Sequence, residues 1–326
     1  MQQIDYRSAV NTARAYLRRR DFLTYGSQLV PERLGSESWA LSWAYIRKID
    51  DIIDSPRISK ETAWEILKHE AEVVNNALNN EYVYRPSHPL RHLWIYWFAE
   101  NINNYYDESV RKIIWDLYES AVMDVKRRGR IISMHEMRDL LNKKAVKFFQ
   151  LYFRVGQLDL GKYTDTIAEC LGLALGMLDD LVDFVLDLRS GYINITKDEL
   201  IELGIDADPN SPDFVEKILN SPFFEKRSYK ILALLLKARK IAHHLRDSLI
   251  RSLILRLTEI FARPILSGKP LPGQKYVFRF GRFLNAILPK DETLAYEIGH
   301  RIMKIALKIP QTSPRVFRAI VKKLFQ

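Results

Sequence analysis

The 326-residue sequence is short of several things, and each shortage excludes something. It has one cysteine, Cys170, so no disulfide framework can staple it, and a lone thiol ahead of an apolar run reads as packing rather than chemistry. No stretch of about 18 residues is apolar and free of charge, so no membrane-spanning helix is expected. Met1 to Arg20 is polar and closes on Arg18-Arg19-Arg20, unlike a secretory leader, so a cytoplasmic location is expected, with peripheral membrane contact as a variant. No useful run of period-two alternation occurs, which leaves little room for strands. No G-x-G-x-x-G dinucleotide fingerprint is present. Nothing resembles a zinc finger or an RRM, so nucleic acid is not expected as a partner despite a net charge of +10.

What is present is helical pattern from end to end, 47% hydrophobic and 28% charged. That supports a large all-α bundle with short connections. The expected domain covers residues 1–290, and 291–326 forms a C-terminal basic amphipathic extension. Helices are expected over Ile4 to Arg20, Ser36 to Asp54, Ser59 to about Asn80, Leu90 to about Asn101, and Asp107 to Arg128. Ser133 with Glu136 and Thr196 with Glu199 each form a capping box, with helix ends at Gly156 and Gly204. Tyr163 to Leu188 and Glu225 to Ala262 read as two long helices, and Asp21 to Gly35 and Pro264 to Pro272 as loops. Ser211-Pro212 and Ser313-Pro314 place a cap before a proline at the first helical position. About Asp291 to Ile309 is helical again.

The stretch Leu171 to Leu188, LGLALGMLDDLVDFVLDL, organises the chain. Residues four apart share a helix face, so Asp179, Asp183 and Asp187 form an acidic stripe flanked by Asp180. Carboxylates crowded on an otherwise apolar helix require protonation, basic partners or bound cations. A second cluster closes the helix of Ser36 to Asp54: Asp50 and Asp54 share a face, Asp51 flanks them, and Arg47 lies one turn earlier. Two acidic helices in one bundle suit Mg²⁺, a hard cation that shares phosphate oxygens with its carboxylate ligands. Such ions would neutralise a leaving diphosphate, and aromatic faces beneath would stabilise a carbocation. Trp43 and Tyr45, on the turn before Asp50, are the foremost cavity candidates among Trp39, Trp94, Trp97, Phe148, Phe149 and Phe153.

These residues carry a resemblance. Ser27-Gln28-Leu29-Val30-Pro31, then Ala40 through Arg47, then Asp50-Asp51-Ile52-Ile53-Asp54, are similar to the first acidic motif of the squalene/phytoene synthase family of isoprenyl-diphosphate enzymes. Leu171 through Leu175 with Asp179, Asp183 and Asp187 resembles its second, Gly191 falls where the family has a loop glycine, Asp198-Glu199-Leu200 resembles the start of its next helix, and Val122-Met123-Asp124 weakly resembles a third stretch. The resemblance spans roughly residues 20–270. It implies an isoprenoid synthase fold around a central cavity, Mg²⁺ held by Asp50, Asp54, Asp183 and Asp187 with Asp51 and Asp179 supporting, and Arg47 at the site or on phosphate. Arg20 and Arg189 are further candidate diphosphate contacts, and Phe22 a further cavity residue. The implied reaction joins two allylic diphosphates, farnesyl or geranylgeranyl, through a cyclopropyl intermediate. No general base is assignable.

The sequence also departs from the family. Gly176 replaces a glutamine, Val182 an arginine, Tyr192 and Asn194 an Arg-x-Tyr pair, Thr196 a proline, and Lys144-Ala145 a Tyr-Cys pair, while Arg20-Asp21-Phe22 stands near a lost Ser-x-Ser-Phe. The acids are kept and several groups around the diphosphates are not. One-substrate terpene synthesis or transfer to another acceptor, and a non-catalytic membrane-associated helical protein, stay open beside the condensation. Arg18-Arg19-Arg20 and Lys126-Arg127-Arg128 are charge runs that reach phosphate or are simply solvated. His243-His244 lacks metal-ligand spacing. No acid follows Glu297, and the basic amphipathic tail suits an anionic bilayer or a terminal packed helix.

Overall fold

A computed structural model describes residues 5–20, 22–55, 57–205, 208–209, 211–267 and 288–308, with the backbone alone for 22–24. Among these residues there are fifteen α-helices and no strand. They are α1 (Tyr6–Arg20), α2 (Phe22–Ser27), α3 (Arg33–Ile53), α4 (Lys60–Leu78), α5 (Leu90–Tyr105), α6 (Glu108–Arg127), α7 (Met134–Leu141), α8 (Lys147–Val155), α9 (Thr164–Val182), α10 (Phe184–Arg189), α11 (Lys197–Glu202), α12 (Phe214–Leu219), α13 (Phe223–Ala242), α14 (Ser248–Leu266) and α15 (Glu292–Lys308). A π-helical turn, Asn142–Val146, joins α7 to α8. No described helix is long and apolar enough to cross a membrane.

Local chemistry sets several boundaries. Ser59 accepts from the Thr62 amide, Asp107 from the Ser109 amide, and both capping boxes close with side chain and backbone satisfied in each direction. Four expectations need correction. The connector after α1 contains the short helix α2, and α3 begins at Arg33. The 163–188 helix bends at Asp183, whose φ/ψ of −95°/7° interrupts it, although the Asp183 and Asp187 amides still bond to the carbonyls four residues back. The 225–262 helix is two helices, because Asp247 caps α14 by accepting from the Leu249 and Ile250 amides; α14 then runs through Pro264 to Leu266. Ser211 leads into a turn, and α12 starts at Phe214 rather than at Pro212.

The core runs along α3 and α9. Trp39, Ala40, Leu41 and Ala44 of α3 are fully buried, as are Ile167, Ala168, Leu171, Ala174, Leu178 and Leu181 of α9. α3 packs on α1, α5 and α8, and α9 on α8, α13 and the π turn. The last contact is unusually close. A Cβ at Gly172 would lie 2.5 Å from Val146 Cα, and one at Gly176 would lie 2.7 Å from Leu141 Cδ2 and 3.1 Å from Ala145 Cβ. Two glycines four apart therefore let α9 seat the π turn against its backbone. α15 docks on the bundle: Arg14 lies over the Tyr296 ring at 4.4 Å, Tyr25 donates to Glu292, and Arg18 donates to the Leu288 and Pro289 carbonyls. The tail from residue 309, including Ser313-Pro314, lies outside the described residues.

Candidate functional site

Three helix faces converge. On α3, Trp43, Arg47, Asp50 and Asp54 follow one another at helical spacing. On α9 and its bend, Gly172, Gly176, Asp179 and Asp183 do the same. Between them the π turn and α8 present Lys144 and, one turn on, Phe148. Lys144 Nζ is 2.6 Å from Asp124 Oδ2 and 3.9 Å from Asp50 Oδ1, and Trp43 meets Phe148 with ring centroids 4.5 Å apart. A charged layer therefore lies over an aromatic one. Trp39 extends that floor, stacking on Trp43 at 5.6 Å and meeting Tyr152 edge-on at 5.0 Å.

The acidic groups and Lys144 are packed among protein atoms yet still reach solvent. The Lys144 and Asp54 side chains keep 45% and 38% solvent accessibility. Lys144 also acts on both walls: its charge lowers the proton affinity of Asp54 on one and of Asp187 on the other. Burial opposes its own charge, but Asp124, Asp50 and Asp54 outweigh burial and raise its pKa, so it stays an ammonium. Burial likewise pushes Asp124 up, and Lys144 and Arg127 overcome it to hold that carboxylate at about 2.

The loop after α10 ties both walls together. Gly191 turns it with φ of 85°, and its carbonyl accepts from the Gly129 amide at 2.7 Å. Arg128 donates to the Tyr192 hydroxyl (2.9 Å), which donates to Asp54 (2.5 Å). Arg127 donates to Asn194 (3.0 Å), whose amide donates to Asp187 (2.6 Å). Neighbouring arginines thus reach opposite walls through neighbouring loop side chains. Arg128 also binds the Ile53 carbonyl at 2.6 Å, closing the C-terminus of α3.

The walls differ in what they already hold. Asp51 accepts from Arg20 at 2.7 and 2.8 Å, from Tyr16 at 2.5 Å, and faces Arg47 at 3.3 Å. Burial pushes its carboxyl up, but those partners prevail and lower it. Asp50 pairs with Arg47 at 2.8 Å. Asp54 is raised to about 6, by burial first and by Asp50 second. On the second wall Asp180 pairs with Arg227 at 3.3 Å, while the Asp183 carboxylate has no hydrogen-bond or ion-pair partner among the described residues. Burial raises Asp183, and burial together with Asp180 and Asp183 raises Asp187 to about 6.

The remaining expected site residues fall as follows. Arg20 is committed to Asp51, and Arg189 is exposed at the end of α10 without a partner among the described residues. Asp179 is exposed on the acidic stripe. Tyr45 is buried and donates to Glu70 at 3.0 Å, joining a network between α3, α4 and α5 rather than the aromatic floor. The Phe22 side chain lies outside the description. Arg18 serves the docking of α15, and His243 and His244 are exposed. The groups the sequence reading undervalued are Lys144, Tyr192, Asn194 and Asp124. All four were visible only as departures from, or weak matches to, a family pattern.

Metal fit follows from these contacts. Asp183 and Asp187 offer hard oxygens with little protein cation on them, and Lys144 lies between them and the Asp50–Asp54 face, acting on Asp54 and Asp187 alike. Asp51 is saturated by arginine and tyrosine. A different group, His69, Glu70 and His92, brings ligand atoms within 4.8 Å of one another. Its carboxylate is spent: Oε1 accepts from Arg91 at 2.6 and 2.9 Å and lies 3.0 Å from His92, and Oε2 accepts from Tyr45. Burial pushes Glu70 up, yet His92 and Arg91 hold it at about 2, so an arginine occupies that position already.

No protein-family model and no curated protein sequence matches the chain. The crystal structure of a dehydrosqualene synthase in complex with a ligand is similar in fold, with a TM-score of 0.61 at 12% identity, over 93% of this chain and 98% of that one. The chain therefore has the all-helical isoprenoid synthase fold.

Proposed function

We propose that this chain is a Mg²⁺-dependent enzyme that ionises prenyl diphosphates, joining two allylic diphosphates of the C15 or C20 class in the manner of squalene/phytoene synthases. One observation carries the reading: the acidic faces of two helices are brought to one lysine, Lys144, whose charge acts on Asp54 and on Asp187, and the α3 face continues into the packed rings of Trp43 and Phe148. When bound, Mg²⁺ would supply Lewis-acid neutralisation of the departing diphosphate. Asp183 and Asp187 would hold it with Asp179, and Asp50 and Asp54 would accept it from the facing wall. Arg47 and Lys144 reach the same volume from α3 and the π turn and would bind outer phosphate oxygens. Trp43 and Phe148 lie below that layer, where ring faces would stabilise the allylic cation and exclude water. Anionic membrane contact through the basic tail belongs to the same reading, because a condensed product is greasy.

A second reading has its own observation. Val182 is buried, and Tyr192 and Asn194, at positions where the resembling family has an Arg-x-Tyr pair, are tied to Asp54 and Asp187. Fewer free cations remain for a second diphosphate, which favours a one-substrate terpene synthase or transfer to another acceptor. Mass spectrometry of products from C10, C15 and C20 diphosphates, supplied singly and in pairs, separates the two. A product of summed chain length supports condensation, a single-chain hydrocarbon or alcohol supports the second reading, and an unconsumed substrate pool overturns both.

A further inference from the structure

Lys144 stands where a cation would be wanted. Its ammonium reaches between α3 and α6, 3.9 Å from Asp50 and 2.6 Å from Asp124, and its side chain stays 45% accessible to solvent. Asp124 does not consume it as a simple buried pair, because Arg127 Nε already bonds the other oxygen of Asp124 at 2.7 Å. The placement is built into the fold. The π turn re-aims the helix at position 144, and π turns recur where helices carry function. Gly172 and Gly176 then admit that turn against the backbone of α9, next to the second acidic stripe. Gly176 and Lys144-Ala145 are all departures from the resembling family, and a Cβ at Gly176 would press to 3.1 Å from Ala145 Cβ, so the departures lie in one place.

We propose that Lys144 is the resident cation of the Asp50–Asp54 wall and an anchor for the substrate's diphosphate, so that this wall takes no tight divalent ion by itself and the diphosphate-free protein loads metal at Asp183 and Asp187 alone. The proposal deepens the diphosphate reading and rests on it for the identity of the anion. An ammonium near Asp50 supplies one positive charge without dissociating, and it repels a divalent ion at the same carboxylates. It also meets a diphosphate as a mobile, multi-donor point charge, which suits phosphate oxygens arriving from solvent.

Mn²⁺ binding to the metal-free full-length protein, followed by electron paramagnetic resonance, tests this without turnover. Asp183→Asn should abolish wild-type binding, and Asp54→Asn should leave it unchanged. Lys144→Met should gain one further ion, about tenfold tighter than any binding at that wall in the wild type, and adding Asp54→Asn should remove it. Inorganic diphosphate without metal should bind Lys144→Met about tenfold more weakly than wild type, with Lys144→Arg within about threefold of it. Loss of Mn²⁺ on Asp54→Asn alone, or an unchanged ion count together with unchanged diphosphate affinity in Lys144→Met, would overturn the proposal. If Lys144→Met does not fold, the Asp54→Asn comparison in wild type decides it. Absence of diphosphate release from any prenyl diphosphate, with these binding results intact, would sink the enzymatic reading and leave Lys144's assignment standing.

Discussion

The two acidic walls have similar spacing and differ in how many of their carboxylates are already paired with cations. The α3 wall arrives largely paired with cations: Asp51 by Arg20 and Arg47 with Tyr16, and Asp50 by Arg47 with Lys144 nearby, while Asp54 accepts from the neutral Tyr192 hydroxyl with Arg128 at 4.0 Å. The α9–α10 wall keeps the Asp183 carboxylate without a partner among the described residues and gives Asp187 a neutral amide. The lesson is that an aspartate motif specifies a charge density and not an occupant. Whether lysine, arginine or a divalent ion answers it depends on neighbours far away in sequence.

The largest test of the contrast is Asp183→Asn. If the open wall holds the ion that takes leaving-group charge, diphosphate release should fall about a thousandfold. Stability to urea should change by no more than about 0.5 kcal/mol, since an exposed side chain without a partner is lost. Asp50→Asn should be milder, about a hundredfold in release, because Arg47 and Lys144 remain on that wall; full turnover would refute its role. Gly172→Ala should instead act through packing. Its Cβ meets backbone, so the π turn must shift, costing about 1–3 kcal/mol in denaturant melts and weakening diphosphate binding through Lys144. Asp51→Asn should cost about 1–2 kcal/mol of stability while leaving Mn²⁺ affinity unchanged, because its partners are protein groups and Arg20 is half exposed.

A further test is of pH dependence. Asp54 and Asp187 titrate at about 6 in the folded protein, above the ordinary unfolded value of about 3.9. Between those values the folded state binds more protons, so their contribution to stability falls as pH rises. The metal-free wild type should therefore lose stability from about pH 4 to about pH 6 relative to an Asp54→Asn/Asp187→Asn double variant. Equal slopes in parallel melts would show that the crowding is already relieved.

Much of this was legible in sequence where the signal is local. Ser59, Asp107 and the two capping boxes mark helix starts because a side chain answers an amide two or three residues away. The acidic stripes were legible for the same reason, being periodic on one helix. The bend at Asp183 was not, since neither glycine nor proline marks it and the spacing continues across it. The break before Ser248 did carry a signal, the Asp247-Ser248 cap, which the continuous apolar period of 225–262 concealed. Least legible was the occupancy of the site. That Lys144 meets Asp50, that Tyr192 meets Asp54 and that Tyr45 turns to Glu70 are tertiary facts, set by how α9 seats the π turn and where the Gly191 loop returns.

The most direct measurement is pyrophosphate release from farnesyl and geranylgeranyl diphosphate by the purified full-length chain, with Mg²⁺ and after chelation. The account predicts release that requires the divalent ion and collapses in Asp183→Asn. Release that survives chelation and Asp183→Asn, or no release from either substrate with Mg²⁺ present, would contradict it.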